Sequence, residues 1–174
     1  MFVRVFLCAL LIGFAGVAGA QTQPAAAPGQ NAQARQQLTP QQREALQKQN
    51  QVLIQYADRI VAMLDNGQAG QVWDQASDVA KKSVSRDQFI DTVQSDHARL
   101  GAMKSRKVAV VTHTLSKGDG KLPAGQYVNI NYATEFGSQA KPTRELLSFH
   151  LDSDRKWRLS GYTLHAADNA VSRK

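Results

Sequence analysis

The sequence predicts an α+β domain in which three N-terminal helices pack on one face of a four-stranded antiparallel meander sheet. Three observations lead there. Apolar residues recur at helical spacing up to about residue 100 and at period two from about Arg106 onward. The later segments are joined by connections too short for a helical crossover, so neighbours in sequence pair antiparallel. Helical segments also precede strand segments instead of alternating with them, the order that gives segregated layers.

The first helix has a written start. Thr39 can cap it, Pro40 suits the first helical position, and Gln42 completes a capping box. Leu53, Ala57, Ile60, Val61 and Leu64 form one apolar stripe, and Asn66-Gly67 stops the helix near residue 65. A second stripe runs through Val72, Trp73, Ala76, Val79 and Ala80, with Trp73 at its centre as a core anchor. Lys81 and Lys82 occupy the last turn, where cations are favoured. The third helix opens on Ser85 and Gln88, with Val84 and Phe89 at the positions of a hydrophobic staple. Phe89, Ile90, Val93 and Leu100 make its apolar face, and Gly101 ends it.

Strands are predicted at Lys107–Leu115, Tyr127–Phe136, Glu145–Leu151 and Trp157–His165, all rich in β-branched and aromatic residues. Alternation puts Val128, Ile130, Tyr132 and Phe136 on one side of their strand, and Leu147, Phe149 and Leu151 on one side of theirs. The short last turn pairs Leu151 with Trp157 and Phe149 with Leu159.

Outside this domain (39–166) the chain reads differently. Residues 1–20 have the layout of a cleavable signal peptide: Arg4, an apolar run from Val5 to Val17, and Ala18-Gly19-Ala20 as an A-x-A site. The run is shorter than the roughly 20 residues of a membrane-spanning helix. Export to the periplasm or beyond is the expected localisation. Cys8 is the chain's one cysteine and leaves with the leader, so stability must come from a packed core. Residues 21–38 are rich in Gln, Ala and Pro and read as a flexible tether, and 167–174 as a disordered tail.

The chain is basic, with a formal charge of +7. In an exported protein that balance points away from nucleic acid and toward anionic envelope components. The cations concerned are Lys104, Arg106, Lys107, Lys141, Arg144, Arg155, Lys156 and Arg158.

Several segments carry a family resemblance: Asp65-Asn66-Gly67 before Val72-Trp73, Arg99-Leu100-Gly101, Leu122-Pro123-Ala124-Gly125-Gln126-Tyr127, Tyr132-Ala133-Thr134-Glu135-Phe136, and Trp157-Arg158-Leu159-Ser160-Gly161-Tyr162. From about Leu53 to His165 the chain resembles a bacterial family of small exported proteins, domain-of-unknown-function family 4019. The resemblance implies export and an α+β domain, and it brings no assigned activity. The order of elements is also similar in architecture to the cone-shaped nuclear transport factor 2-like and cystatin-like folds.

Motifs for chemistry are sparse. His97, His113, His150 and His165 show no metal-ligand spacing. His97 reads as a hydrogen-bonded core or boundary residue, and the other three as solvated. Asp58, Asp65, Asp74, Asp78, Asp91 and Glu135 all read as solvated carboxylates. No G-x-S-x-G elbow is present, and Gly118-x-Gly120 leads into no helix, so it is no phosphate loop. No cofactor is implied. If the layers enclose a cavity, its expected lining is Tyr56, Trp73, Phe89, His97, Tyr132 and Phe149, a wall suited to a small apolar ligand.

Three readings follow. The leading one is a non-enzymatic periplasmic binding or interaction module. The second is an isomerase- or dehydratase-type enzyme in a cone-shaped pocket, signalled by a carboxylate or His97 buried beside a tyrosine. The third is a structural or envelope-stress protein with an exposed apolar sheet face at Leu146, Tyr162 and Leu164.

Overall fold

The chain's computed structural model describes residues 38–120 and 122–165; the expected leader, nearly all of the tether and the tail lie outside them. Thr39 starts the first helix as its neighbours predict. Its hydroxyl accepts from the Gln42 N–H, and the Gln42 side chain accepts from the Thr39 N–H, which satisfies two donors that a helix start leaves open. Helix α1 then runs Pro40–Asp65. Its apolar stripe from Leu53 to Leu64 is buried, and its polar first half stays largely exposed. Gly67 takes φ 74° just beyond it, a conformation that costs glycine nothing.

Among the described residues, four helices precede the sheet, not three. The second apolar stripe is divided into α2 (Ala69–Asp74) and α3 (Asp78–Ser83), followed by α4 (Arg86–Leu100). Ser77 makes the break. Its backbone N–H donates to the Leu159 carbonyl at 2.8 Å, its hydroxyl donates to Asp152 at 2.6 Å, and the same hydroxyl accepts from the Val79 N–H to cap α3. Two bonds to a distant part of the chain pull this residue out of the helix its stripe would continue. The predicted start of α4 holds, with the Ser85–Gln88 box formed and Gly101 at φ 78°.

The strands are β1 (Met103–Ser116), β2 (Gly125–Phe136), β3 (Thr143–Leu151) and β4 (Trp157–His165), in the order β1-β2-β3-β4 with every pair antiparallel. Leu151 pairs with Trp157 and Phe149 with Leu159, as the turn length predicts. The α1 stripe packs with Val128, Ile130, Tyr132, Leu147, Phe149 and Leu159 from the inner face of the sheet, while Leu100, Phe136 and Leu164 form a second, smaller cluster. Tyr162 packs against both clusters and Leu164 is buried. Neither contributes to an exposed sheet face, so the apolar patch expected at Leu146, Tyr162 and Leu164 does not exist as such.

Candidate functional site

Alternation places Glu145 on the same side of β3 as Leu147 and Phe149, and there it is fully buried. A carboxylate in that position must be paired. Arg106 of β1 reaches it with Nε at 2.5 Å and Nη2 at 3.1 Å, and holds Asp65 at the end of α1 with Nη1 at 2.8 Å and Nη2 at 3.1 Å. Thr134 donates its hydroxyl to Glu145 at 2.7 Å and Tyr162 donates to it at 2.8 Å. Tyr162 in turn lies 3.1 Å from Nε2 of His97, in the last turn of α4. The tyrosine's single proton goes to Glu145, so His97 must be the donor in that contact, with its proton on Nε2.

Burial opposes the charge on Arg106, but its hydrogen bonds to Asp65 and Glu145 outweigh that and hold it above the ordinary arginine range. Burial, with the negative charge of Glu145 beside it, pushes the Tyr162 hydroxyl up as well. The geometry expected of an enzyme is therefore present: both a carboxylate and His97 stand within hydrogen-bond reach of a tyrosine. The carboxylate, however, is fully engaged by its neighbours. A carboxylate has about four acceptor positions, and Arg106, Thr134 and Tyr162 fill those of Glu145 with four bonds. No position is left for a substrate proton. The cluster is a clamp that ties α1, α4 and all four strands together.

A second polar cluster closes the β3–β4 turn. Asp152 accepts from Ser77, from Nδ1 of His150 at 2.7 Å and from Arg158 at 3.0 Å, and Arg158 also grips Asp154 at 2.7 Å. His150 is expected to be solvated, yet its side chain is 13% exposed. Its ring centroid lies 4.8 Å from that of Tyr127, and a Cβ at Gly125, where φ is 150°, would collide with it. The groove beside this turn, about 400 Å³, is lined by Asp74, Asp78, Asp152, Asp154, Lys81 and Arg158. Its charges largely satisfy one another, since Lys81 bonds to the Asp74 carbonyl and Arg86 pairs with the Asp74 carboxylate. Arg106 and Arg158 must therefore be taken out of the expected basic surface. Asp65 is likewise no solvated charge, and Asp58 accepts from the Tyr132 hydroxyl at 2.8 Å.

The unfilled apolar surface lies elsewhere. Trp73 of α2, Ala76, Ala80 of α3, Val84, Phe89 of α4 and Leu159 of β4 line a cleft of about 240 Å³, with the ring of Tyr162 as one wall. No charged residue lines it; Ser83, Thr92, Ser160 and Thr163 supply its polar groups. Trp73 is half-buried, not the fully buried anchor its stripe suggests, because one side of the ring faces this cleft and Lys81 lies over the ring at 5.3 Å. Its indole N–H points to the Val84 carbonyl at 3.4 Å.

Of the six residues expected to line a cavity, the structure brings Trp73 and Phe89 together. Tyr56, Tyr132 and Phe149 fill the main core instead, with the Tyr56 and Phe149 rings 5.5 Å apart. His97 belongs to the clamp. Sequence reasoning missed Glu145, whose alternation with Leu147 and Phe149 was the available signal, and it missed Arg106, which nothing local distinguishes from Lys104 or Lys107. It missed Tyr162 in the cleft because the helices that face β4 are set by Ser77.

Among the described residues, no group of three or more His, Cys, Asp or Glu is placed to hold a metal ion, and no helix is long and apolar enough to cross a membrane. No match is found among curated proteins or solved structures. Residues 56–162 match the family described as Protein of unknown function (DUF4019), and the chain belongs to that family.

Proposed function

We propose that this is an exported, non-enzymatic binding domain that takes a small, neutral, apolar ligand in the cleft between α2–α4 and β4. The observation that carries the reading is the contrast in chemical occupancy. The buried ionisable groups of the clamp are fully used by one another, whereas the cleft offers an apolar wall, two aromatic side chains from different helices and no charge. A cavity of about 150 Å³ accommodates benzene, so about 240 Å³ suits a bicyclic ring or a short branched chain. Hydroxyls on the lining can fix one polar group of such a ligand, as binding sites of this kind do.

The test is a titration with 1-naphthol against naphthalene-1-sulfonate, read by the fluorescence of Trp73 in a Trp157→Phe background. The neutral probe should bind and the sulfonate should bind more weakly. Ala80→Phe fills the cleft and should abolish binding while leaving thermal stability intact. Equal binding to the filled variant would sink the cleft. Export is tested apart from this, by N-terminal sequencing of periplasmic material, which should begin at Gln21.

A further inference from the structure

Arg106 and Arg158 are held by carboxylates, and the cations that remain on the strands are not spread evenly. Arg106 points into the clamp, so Lys107 beside it points out of the sheet's other face. Glu145 and Leu164 are buried, so Arg144 and His165 point out as well. The pairing register sets these outward residues in one row: Lys107 opposite Ala133, Ala133 opposite Arg144, and Arg144 opposite His165. The register shifts fall at other positions, between Met103 and Ser105, Val108 and Val110, and Ser148 and Phe149. All four residues of the row are exposed. Ala133 has the smallest side chain of the four, and with Val110, Asn131, Pro142 and Arg144 it lines a groove of about 320 Å³. Two strand spacings, about 10 Å, separate Lys107 from Arg144, a gap that two long side chains can close on one anion. Neither cation has an ion pair or hydrogen bond among the described residues.

We propose that this face docks the domain on an anionic phospholipid surface, with a headgroup phosphate held between Lys107 and Arg144 above Ala133. Charge complementarity selects the partner. At this end of the face Lys104, Lys107 and Arg144, all exposed, are set against one outward carboxylate, Glu135, and leave it net positive. The neighbouring row, Val110, Asn131, Leu146 and Thr163, carries no charge, and Val110 is 48% exposed. A cationic row beside a neutral, partly apolar one matches a headgroup layer, where phosphates lie next to glycerol and acyl carbons. A single dissolved anion would meet exposed side chains screened within about 8 Å. A surface offers a headgroup to each cation at once, and each Lys or Arg beside it strengthens binding about fivefold. The face is separate from the apolar cleft, so either site can fail without the other.

Co-sedimentation of the chain from Gln21, without the expected apolar leader, with phosphatidylglycerol or phosphatidylcholine vesicles tests this. Binding to the phosphatidylglycerol vesicles alone is expected, fading as salt rises. Lys107→Gln and Arg144→Gln should each weaken it about fivefold without changing the melting temperature. Ala133→Leu fills the groove at unaltered charge and should weaken it too. Lys156→Gln removes the same charge in the turn beyond the other end of β3 and should leave binding unchanged. Equal weakening by Lys156→Gln, or full binding by Ala133→Leu, would mean attraction by net charge alone and overturn the seated headgroup. Equal binding to both vesicle types, or to neither, overturns the proposal outright. Inorganic phosphate that displaces the protein from vesicles at constant ionic strength would make the ligand a free anion. Retention on polyglutamate with no binding to phosphatidylglycerol would make it an acidic protein. Either result overturns the lipid surface as partner.

Discussion

Tyr162 stands between two regions built on opposite rules. Its hydroxyl completes the clamp around Glu145, and its ring walls the apolar cleft. In the clamp every acceptor of a fully buried carboxylate is occupied, and the occupants come from three separate strands. In the cleft the lining side chains leave part of their apolar surface without a neighbour. Buried polar groups cost several kcal/mol each when unpaired, so a network that satisfies itself is a stability device first. Apolar surface left without a neighbour forgoes its contacts, and a ligand can supply them. The two buried side-chain polar atoms without partners among the described residues, Thr143 Oγ1 and Nε2 of His150, belong to neither region.

The most direct way to break that contrast is Arg106→Met. It removes the cation from Glu145 and leaves a buried charge with hydroxyl donors alone. The expected loss is about 3–5 kcal/mol, the range for breaking one side of a buried pair, measured by urea denaturation. A loss under about 1 kcal/mol would mean that the carboxylate has access to water and that the clamp is not closed. The double variant Arg106→Met, Glu145→Leu should regain much of the stability, because a buried pair exchanged for apolar side chains is often near neutral.

Ser77→Ala acts at the hinge between the two short helices. It removes the α3 cap and the bond to Asp152 together, at about 1–2 kcal/mol. Because Ser77 sets where α2 and α3 sit against β4, the same variant should also weaken naphthol binding. Unchanged binding with lowered stability would separate the hinge from the cleft.

Tyr162→Phe sharpens the boundary itself. It removes one of four donors to Glu145 and keeps the ring. Stability should fall by about 1 kcal/mol, and affinity in the cleft should stay within about threefold. A larger change in affinity would mean that the hydroxyl serves the ligand and that the two regions are one site.

The smallest effect concerns acid. Burial raises the pKa of Asp152, but hydrogen bonds from Ser77, His150 and Arg158 outweigh it and leave it below the ordinary 3.8. Arg158 holds Asp154 at about 2. Both values are lower folded than unfolded. The stability they contribute is therefore complete above the ordinary carboxylate pKa and is lost as pH falls through the folded values. Melting temperatures between about pH 5 and pH 2 should fall less steeply for Asp152→Asn than for the parent chain. Parallel curves would show that the turn does not couple to folding.

What could be read from residues alone were the features governed by near neighbours. Thr39 with Gln42 and Ser85 with Gln88 specify helix starts within four residues, so both capping boxes form as read. Period-two alternation specifies a strand's buried face, so Val128, Ile130, Tyr132 and Phe136 all point inward. The last turn's length sets the pairing of Phe149 with Leu159. Only the tertiary structure decided the rest. The partner that breaks the second apolar stripe at Ser77 lies on β3–β4, far along the chain. Arg106, one cation among several in its segment, is singled out by the position of Asp65 and Glu145 on other elements. Whether an aromatic side chain fills the core or faces a cleft depends on how closely two helices approach one strand, and no local spacing encodes that distance.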